Sequence, residues 1–340
     1  MERNAGLTAL IAGGAGFVGS HLCERLLGEG ESVVCVDNLM TGRMKNIRGF
    51  RDHPNFAFIQ HDIVEMTPEL PRIDRIYHLA SPASPPAYQR FPIDTLRVNS
   101  EGTLRLLNLA KTNRARFLYA STSEIYGDPL QHPQREDYRG NVNPVGPRSM
   151  YDEAKRYGEA LTVAFCSTHQ VETRIVRIFN TYGPRMDPDD GRVVSNFIVQ
   201  ALQDKPITIY GDGSQTRSFQ FVDDLVEGMI RLMESDQLEP VNIGNPSEYT
   251  VLELASIVKD LTGSRSPIEF LPLPQDDPKQ RRPDISLAWK SLKWEPIVPV
   301  LDGLQRTIAH FHAELIEAGI IDQSQLAPNL HHSMAVGSLD

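Results

Sequence analysis

The sequence predicts an α/β fold built on an open, doubly wound parallel sheet, and three observations predict it. Short runs that are apolar on both faces alternate with helix-period segments through the first half of the chain. A glycine-rich turn stands between the first such run and the first helical pattern, and an aspartate follows the second run. The 340 residues, 40% apolar and 23% charged, suffice for a sheet covered on both sides plus a smaller second unit.

Leu7–Ala12 reads as the first strand, with almost no polar alternation. Gly13-Gly14-Ala15-Gly16-Phe17-Val18-Gly19 comes next, and Val18, Leu22 and Leu26 at spacing four open the first helix. Ser32–Val36 is the second strand, closed by Asp37. Phe56–Gln60, Arg75–Leu79, Arg116–Ala120 and Thr173–Ile178 supply four more, with helices expected over Leu96–Lys111 and Tyr151–Thr168. After Asn180 the texture changes. Tyr182-Gly183-Pro184, Tyr210-Gly211-Asp212-Gly213 and Pro272-Leu273-Pro274 punctuate shorter elements. The expected organisation is a nucleotide-binding unit over 1–180, a smaller α/β cap over 181–325 whose segments can interleave with it, and a polar tail over 326–340. In that tail His331-His332 reads as a solvated pair, and no metal site is expected.

Charge and composition narrow the function. With 34 Lys+Arg against 44 Asp+Glu the net charge is −10, which argues against nucleic-acid partners. Cys23, Cys35 and Cys166 form neither a disulfide framework nor a metal-ligand pattern, so a reducing, cytoplasmic setting is expected. The uncharged run Ala5–Cys23 is long enough to cross a bilayer but holds five glycines, so no membrane segment is expected.

That run is a phosphate-binding turn. Gly13 permits the tight turn, Gly16 lets backbone approach a pyrophosphate, and Gly19 brings helix and strand together. The helix N-terminus offers free N–H groups. Asp37, 18 residues beyond Gly19, can accept hydrogen bonds from an adenosine ribose. Its charge favours NAD over NADP, although the nearby Arg43 keeps NADP open. This makes the predicted sheet Rossmann-type. The candidate cofactor contacts are Gly13, Gly16, Phe17, Val18, Gly19, Asp37, Asn38, Asp62, Ile63, Leu79, Ala80, Asn99, Tyr151 and Lys155.

Tyr151 and Lys155 stand four apart and share one helix face. A free phenol ionises near pH 10, too high for a base at neutral pH, and a nearby ammonium is expected to lower it. Ala120-Ser121-Thr122-Ser123-Glu124 ends the fifth strand at the same sheet edge as the glycine turn, where ligands of such sheets bind.

With Gly13–Ser20, His78–Pro86, Ala120–Gly127, Tyr151–Lys155, Arg177–Arg185, Gly191–Phe197, Gly213–Phe219 and Gln275–Ile285 in this order, the sequence resembles the extended short-chain dehydrogenase/reductases. These are nucleotide-sugar epimerases, dehydratases and decarboxylases, and the likeness is strongest to the branch that decarboxylates UDP-glucuronate to UDP-xylose. The resemblance implies oxidation at C4 with NAD, loss of CO₂ from a 4-keto uronic acid, and re-reduction. It implies that Tyr151 takes the 4-hydroxyl proton, that Thr122 and Ser123 hydrogen-bond the 4-oxygen, that Lys155 holds the nicotinamide ribose, that Glu124 sits near C5 and that Arg281 meets the uronate. Tyr88, Asn180, Val194, Tyr210 and Arg217 are the further substrate contacts implied, for a UDP-sugar in a homodimer.

Alternatives remain open. A 4,6-dehydratase shares the first step, but its Asp-Glu doublet is here Ser123-Glu124, so the acid that would expel a 6-hydroxyl is missing. A 4-epimerase would use neither Glu124 nor Arg281. A dinucleotide-binding regulator without catalysis is the remaining reading.

Overall fold

The structure is a computed structural model, and it describes residues 6–65, 69–273 and 280–322. The polar tail with His331-His332, and the stretch 274–279 within the Gln275–Ile285 segment, lie outside the described residues.

Seven strands form the main sheet. β1 (Thr8–Ala12), β2 (Ser32–Asp37), β3 (Phe56–Gln60), β4 (Arg75–His78), β5 (Arg116–Thr122) and β6 (Thr173–Ile178) are joined by the strand Val241–Ile243. From one edge to the other the order is Val241–Ile243, β6, β5, β4, β1, β2, β3, and every pair is parallel. The order reverses next to β1, so β1 and β4 diverge at their ends and open a crevice.

The unbroken apolar runs are explained by the two layers. Ala9 and Ile11 of β1 enter one core with Leu22 and Leu26 of α1 (Phe17–Gly28), whereas Leu10 and Ala12 enter a second core. A strand that feeds a core on each face has no position left for a polar side chain. α2 (Pro85–Arg90) and α3 (Pro92–Arg97) lead into α4 (Thr103–Asn113), and α5 (Ser149–His169) follows β5. α4 and α5 cover the second face through Leu106, Leu107 and Phe165. α6 (Val193–Leu202) and α7 (Val222–Glu234) contribute to the first core, α7 packing beside α1.

The helix expected over Leu96–Lys111 is interrupted. Val98–Gly102 is a π-helical turn between α3 and α4. Asn99 is drawn into the interior there, donating to Ser81 Oγ at 2.9 Å and Thr95 O at 2.9 Å and accepting from Tyr119 Oη at 3.1 Å. A wide turn accommodates an inward polar side chain that regular α spacing would not.

Beyond the sheet, Ile207–Tyr210 pairs in parallel with Ile268–Leu271, and Thr216–Ser218 lies between Glu248–Thr250 and Gln280–Arg281. These small sheets stand over the carboxyl ends of the main strands.

Candidate active site

One cavity of about 860 Å³ runs along that edge, from the glycine turn to Arg217. Its first wall is the β1–α1 junction. Gly13 has φ +83°, and a Cβ on it would lie 2.7 Å from Ala80 N; a Cβ on Gly19 would fall 2.1 Å from Gly13 O. Only glycine lets this turn approach the next strand end and the helix approach the turn. Asp37, at the end of β2, accepts from Ala15 N at 3.0 Å and Leu39 N at 2.8 Å, so its carboxylate is fixed facing the cavity. Burial raises its pKa, and the two backbone donors oppose the rise. Asn38 Nδ2 donates to Asp62 Oδ2 at 3.1 Å. Gly16, Phe17, Val18, Ile63, Leu79 and Ala80 complete this wall. A cradle that any Cβ would fill, closed by a positioned carboxylate, fits the diphosphate and ribose of a dinucleotide.

The opposite wall carries the chemistry. Tyr151 and Lys155 project from α5 against Thr122, Ser123 and Glu124, where β5 ends. Thr122 hydrogen-bonds Tyr151 and caps the following turn, accepting from Glu124 N at 3.2 Å. Tyr88 stacks flat on Tyr151, with ring centroids 5.1 Å apart and planes 9° apart, so the phenol has little freedom to swing.

The Tyr151 pKa is raised, not lowered as expected. Burial drives the phenol above its ordinary value of 10, and the Thr122 hydrogen bond and the Arg192 charge pull against it. The lysine Nζ lies 5.8 Å from the Tyr151 ring and donates to Ala120 O at 2.8 Å. Burial also lowers Lys155, to about 7, against the pull of Glu159.

Two expected residues stand outside the cavity lining. Asn99 spends its amide inside the protein, as described above. Arg281, 1% exposed, lies behind the wall, where it donates to Ser123 O and, at 3.0 Å, to Gly127 O. Its Nη2 is 3.5 Å from Glu124 Oε2. Arg281 therefore braces the Ser123–Gly127 turn from the rear, through two carbonyls and the Glu124 carboxylate.

The cation that faces the cavity beside Glu124 is Arg148, at 2.7 Å from Glu124 Oε2. Sequence reasoning missed it, since one arginine after Gly146-Pro147 reads as a solvated loop residue; its place three residues before Tyr151, at the start of α5, was the available signal. Burial opposes ionisation of Glu124, but Arg148, Arg281 and Arg217 outweigh it and hold the carboxyl at about 2. Arg192, also missed, lines the cavity and is paired with Asp190. Asn180, Val194, Tyr210 and Arg217 also line the cavity, as does the Ser81–Pro86 loop. Arg43 lines the first wall, but its guanidinium is taken up by Glu314 and Asp187.

Residues 9–244 match the NAD dependent epimerase/dehydratase family. The chain is 56% identical over 306 residues to UDP-glucuronic acid decarboxylase 1 of Danio rerio, covering 90% of this chain and 73% of the relative. It is 55% identical over 309 residues to UDP-glucuronic acid decarboxylase 2 of Arabidopsis thaliana, covering 91% and 69%. Among solved structures, a UDP-glucuronic acid 4-epimerase from Bacillus cereus in complex with UDP-glucuronic acid and NAD superposes with TM-score 0.81 at 30% identity, covering 91% of this chain and all of that one.

Proposed function

The chain belongs to the NAD dependent epimerase/dehydratase family, and from that premise we propose how its residues carry out the reaction. It is an NAD-dependent enzyme that decarboxylates UDP-glucuronate to UDP-xylose. What NAD supplies when bound is a reversible two-electron oxidation at C4 of the sugar.

Tyr151 accepts the O4 proton, and Thr122, hydrogen-bonded to it, holds that oxygen. Oxidation at C4 leaves the C6 carboxylate β to a ketone. The C5–C6 bond then breaks, CO₂ departs, and the electron pair passes into the C4 enolate. Ser123 and Thr122 hydrogen-bond the enolate oxygen. A proton adds at C5, and Tyr151 returns its proton to O4 as C4 is reduced. The sum is one proton consumed and one CO₂ released. Lys155 holds the nicotinamide ribose, Arg148 and Arg217 supply positive charge for the uronate and diphosphate, and Arg281 keeps Ser123 and Glu124 in place.

One observation carries the choice of decarboxylation over elimination: Glu124 is held as a carboxylate between Arg148 and Arg281. An ionised group cannot protonate a departing 6-hydroxyl, whereas decarboxylation needs no acid at that position. The test is to incubate the protein with UDP-glucuronate and NAD⁺ and follow CO₂ and the sugar nucleotide. UDP-xylose with stoichiometric CO₂ is expected; a product that keeps its carboxylate would refute the reading.

The nucleotide-binding unit spans 1–180 and the sugar-nucleotide cap 181–325, with Val241–Ile243 returning to the main sheet. A homodimer is supported by the exposed apolar residues Ile93 and Leu96 of α3, Leu104 of α4, and Tyr157 and Val163 of α5. Sedimentation would test it. The three free cysteines support a cytoplasmic location. Among the described residues no helix is long and apolar enough to cross a membrane.

A further inference from the structure

Arg43 stands on the same cavity wall as Asp37 and Gly42, six residues after the aspartate. Left free, it would be the guanidinium to receive a phosphate on the adenosine ribose, because an arginine fork matches phosphate oxygens in charge and geometry. It is not free. Arg43 Nη1 lies 3.1 Å from Glu314 Oε1 and 3.3 Å from Asp187 Oδ2, and Nη2 donates to Glu314 Oε2 at 3.2 Å. Glu314 thus grips the fork with both oxygens. It comes from the helix Val300–Glu317, 271 residues further along the chain, and its side chain is only 10% exposed. Lys45 pairs with the same carboxylate, and His310 Nε2 lies 3.3 Å from it.

We propose that Glu314, assisted by Asp187, sets the cofactor selectivity of this enzyme by occupying Arg43 and so withholding the cation that a 2′-phosphate requires. Asp37 repels the 2′-phosphate directly, and Glu314 removes the compensating charge beside it. Selectivity for NAD is then divided between a residue of the nucleotide-binding motif and one in a distant helix. The inference rests on the NAD reading above. A clamp with a purely structural role would change the affinity for both cofactors alike, or change stability alone.

The test measures displacement of enzyme-bound NADH by NAD⁺ and by NADP⁺, read by NADH fluorescence, on the full chain. Glu314→Gln keeps the shape of the side chain and removes its charge. NADP⁺ affinity should rise about tenfold, the worth of one added charge-assisted hydrogen bond, while NAD⁺ affinity changes less than about twofold. In the double variant Glu314→Gln/Arg43→Gln the gain should disappear. Asp187→Asn, at a more exposed position, should give a smaller gain in the same direction and serves if Glu314→Gln folds poorly. Unchanged NADP⁺ affinity, equal changes for both cofactors, or a gain that survives loss of Arg43 would each overturn the proposal. A wild-type protein that binds no NADH would instead overturn the NAD reading, and the proposal with it.

Discussion

Replacing Lys155 with methionine should make the cofactor-free protein more stable at neutral pH while removing its activity. Lys155 is 3% exposed, and its ammonium has one backbone acceptor, Ala120 O at 2.8 Å, and the face of Tyr119 at 5.1 Å. Burial lowers its pKa from 10.5 to about 7. That gap corresponds to roughly 5 kcal/mol against the folded state below about pH 7, where both the folded and the unfolded lysine are charged. Methionine fills similar volume and carries no charge, but it gives up the charged hydrogen bond to Ala120, which costs about 1.5–3 kcal/mol. A net gain of about 2 kcal/mol remains. The unfolded lysine keeps its proton up to 10.5 and the folded one releases it near 7, so the wild type gains stability as pH rises between those values. The advantage of Lys155→Met is therefore full below pH 7 and shrinks as pH approaches 10.5. Urea unfolding at about pH 6.5 and about pH 9.5 reads this as a midpoint roughly half a molar higher in the variant at the lower pH only. CO₂ release from UDP-glucuronate reads the activity. A variant less stable than wild type at the lower pH, or a difference unchanged by pH, would refute the reasoning.

Tyr151→Phe removes the proton acceptor alone; turnover should fall by about 10²–10⁴-fold or more, with NADH binding by fluorescence close to wild type. Gly19→Ala places a methyl 2.1 Å from Gly13 O and 2.8 Å from Gly14 Cα, backbone that cannot step aside. Helix and turn must separate, so NADH affinity should drop at least about tenfold and stability by about 1–3 kcal/mol; retained binding would contradict the cradle. Arg281→Met removes the hydrogen bonds that the guanidinium gives to the Ser123 and Gly127 carbonyls and leaves Glu124 with one cation fewer. It should cost about 3–5 kcal/mol in urea unfolding together with activity. A variant as stable as wild type would point to direct substrate contact instead.

The strands, the glycine turn and the Tyr151–Lys155 pair were legible in the sequence because each is written in local pattern. A strand buried on both faces is apolar at each buried position, as from Ala9 to Ala12 of β1, and a turn that brings backbone onto backbone must be glycine, as at Gly13 and Gly19. Helical spacing of four was enough to put Tyr151 and Lys155 on the same face. The π turn at Val98–Gly102 was not legible, since the partners that draw Asn99 inward are a loop serine and a tyrosine on another strand.

Charge shows the division most clearly. The sequence placed positive charge at Lys155, Arg217 and Arg281 to offset a net −10 around anionic ligands. Tertiary structure decided which cation does what. Arg281 meets Ser123 across 158 residues and works behind the wall, Arg148 takes the position beside Glu124, and Arg43 is neutralised by a glutamate from the helix Val300–Glu317. An arginine in a sequence has a charge but no partner. Its long side chain reaches whichever carboxylate or carbonyl the fold brings within about 3 Å, so its role is fixed only when distant segments meet, and so is the ionisation state of the acids beside it.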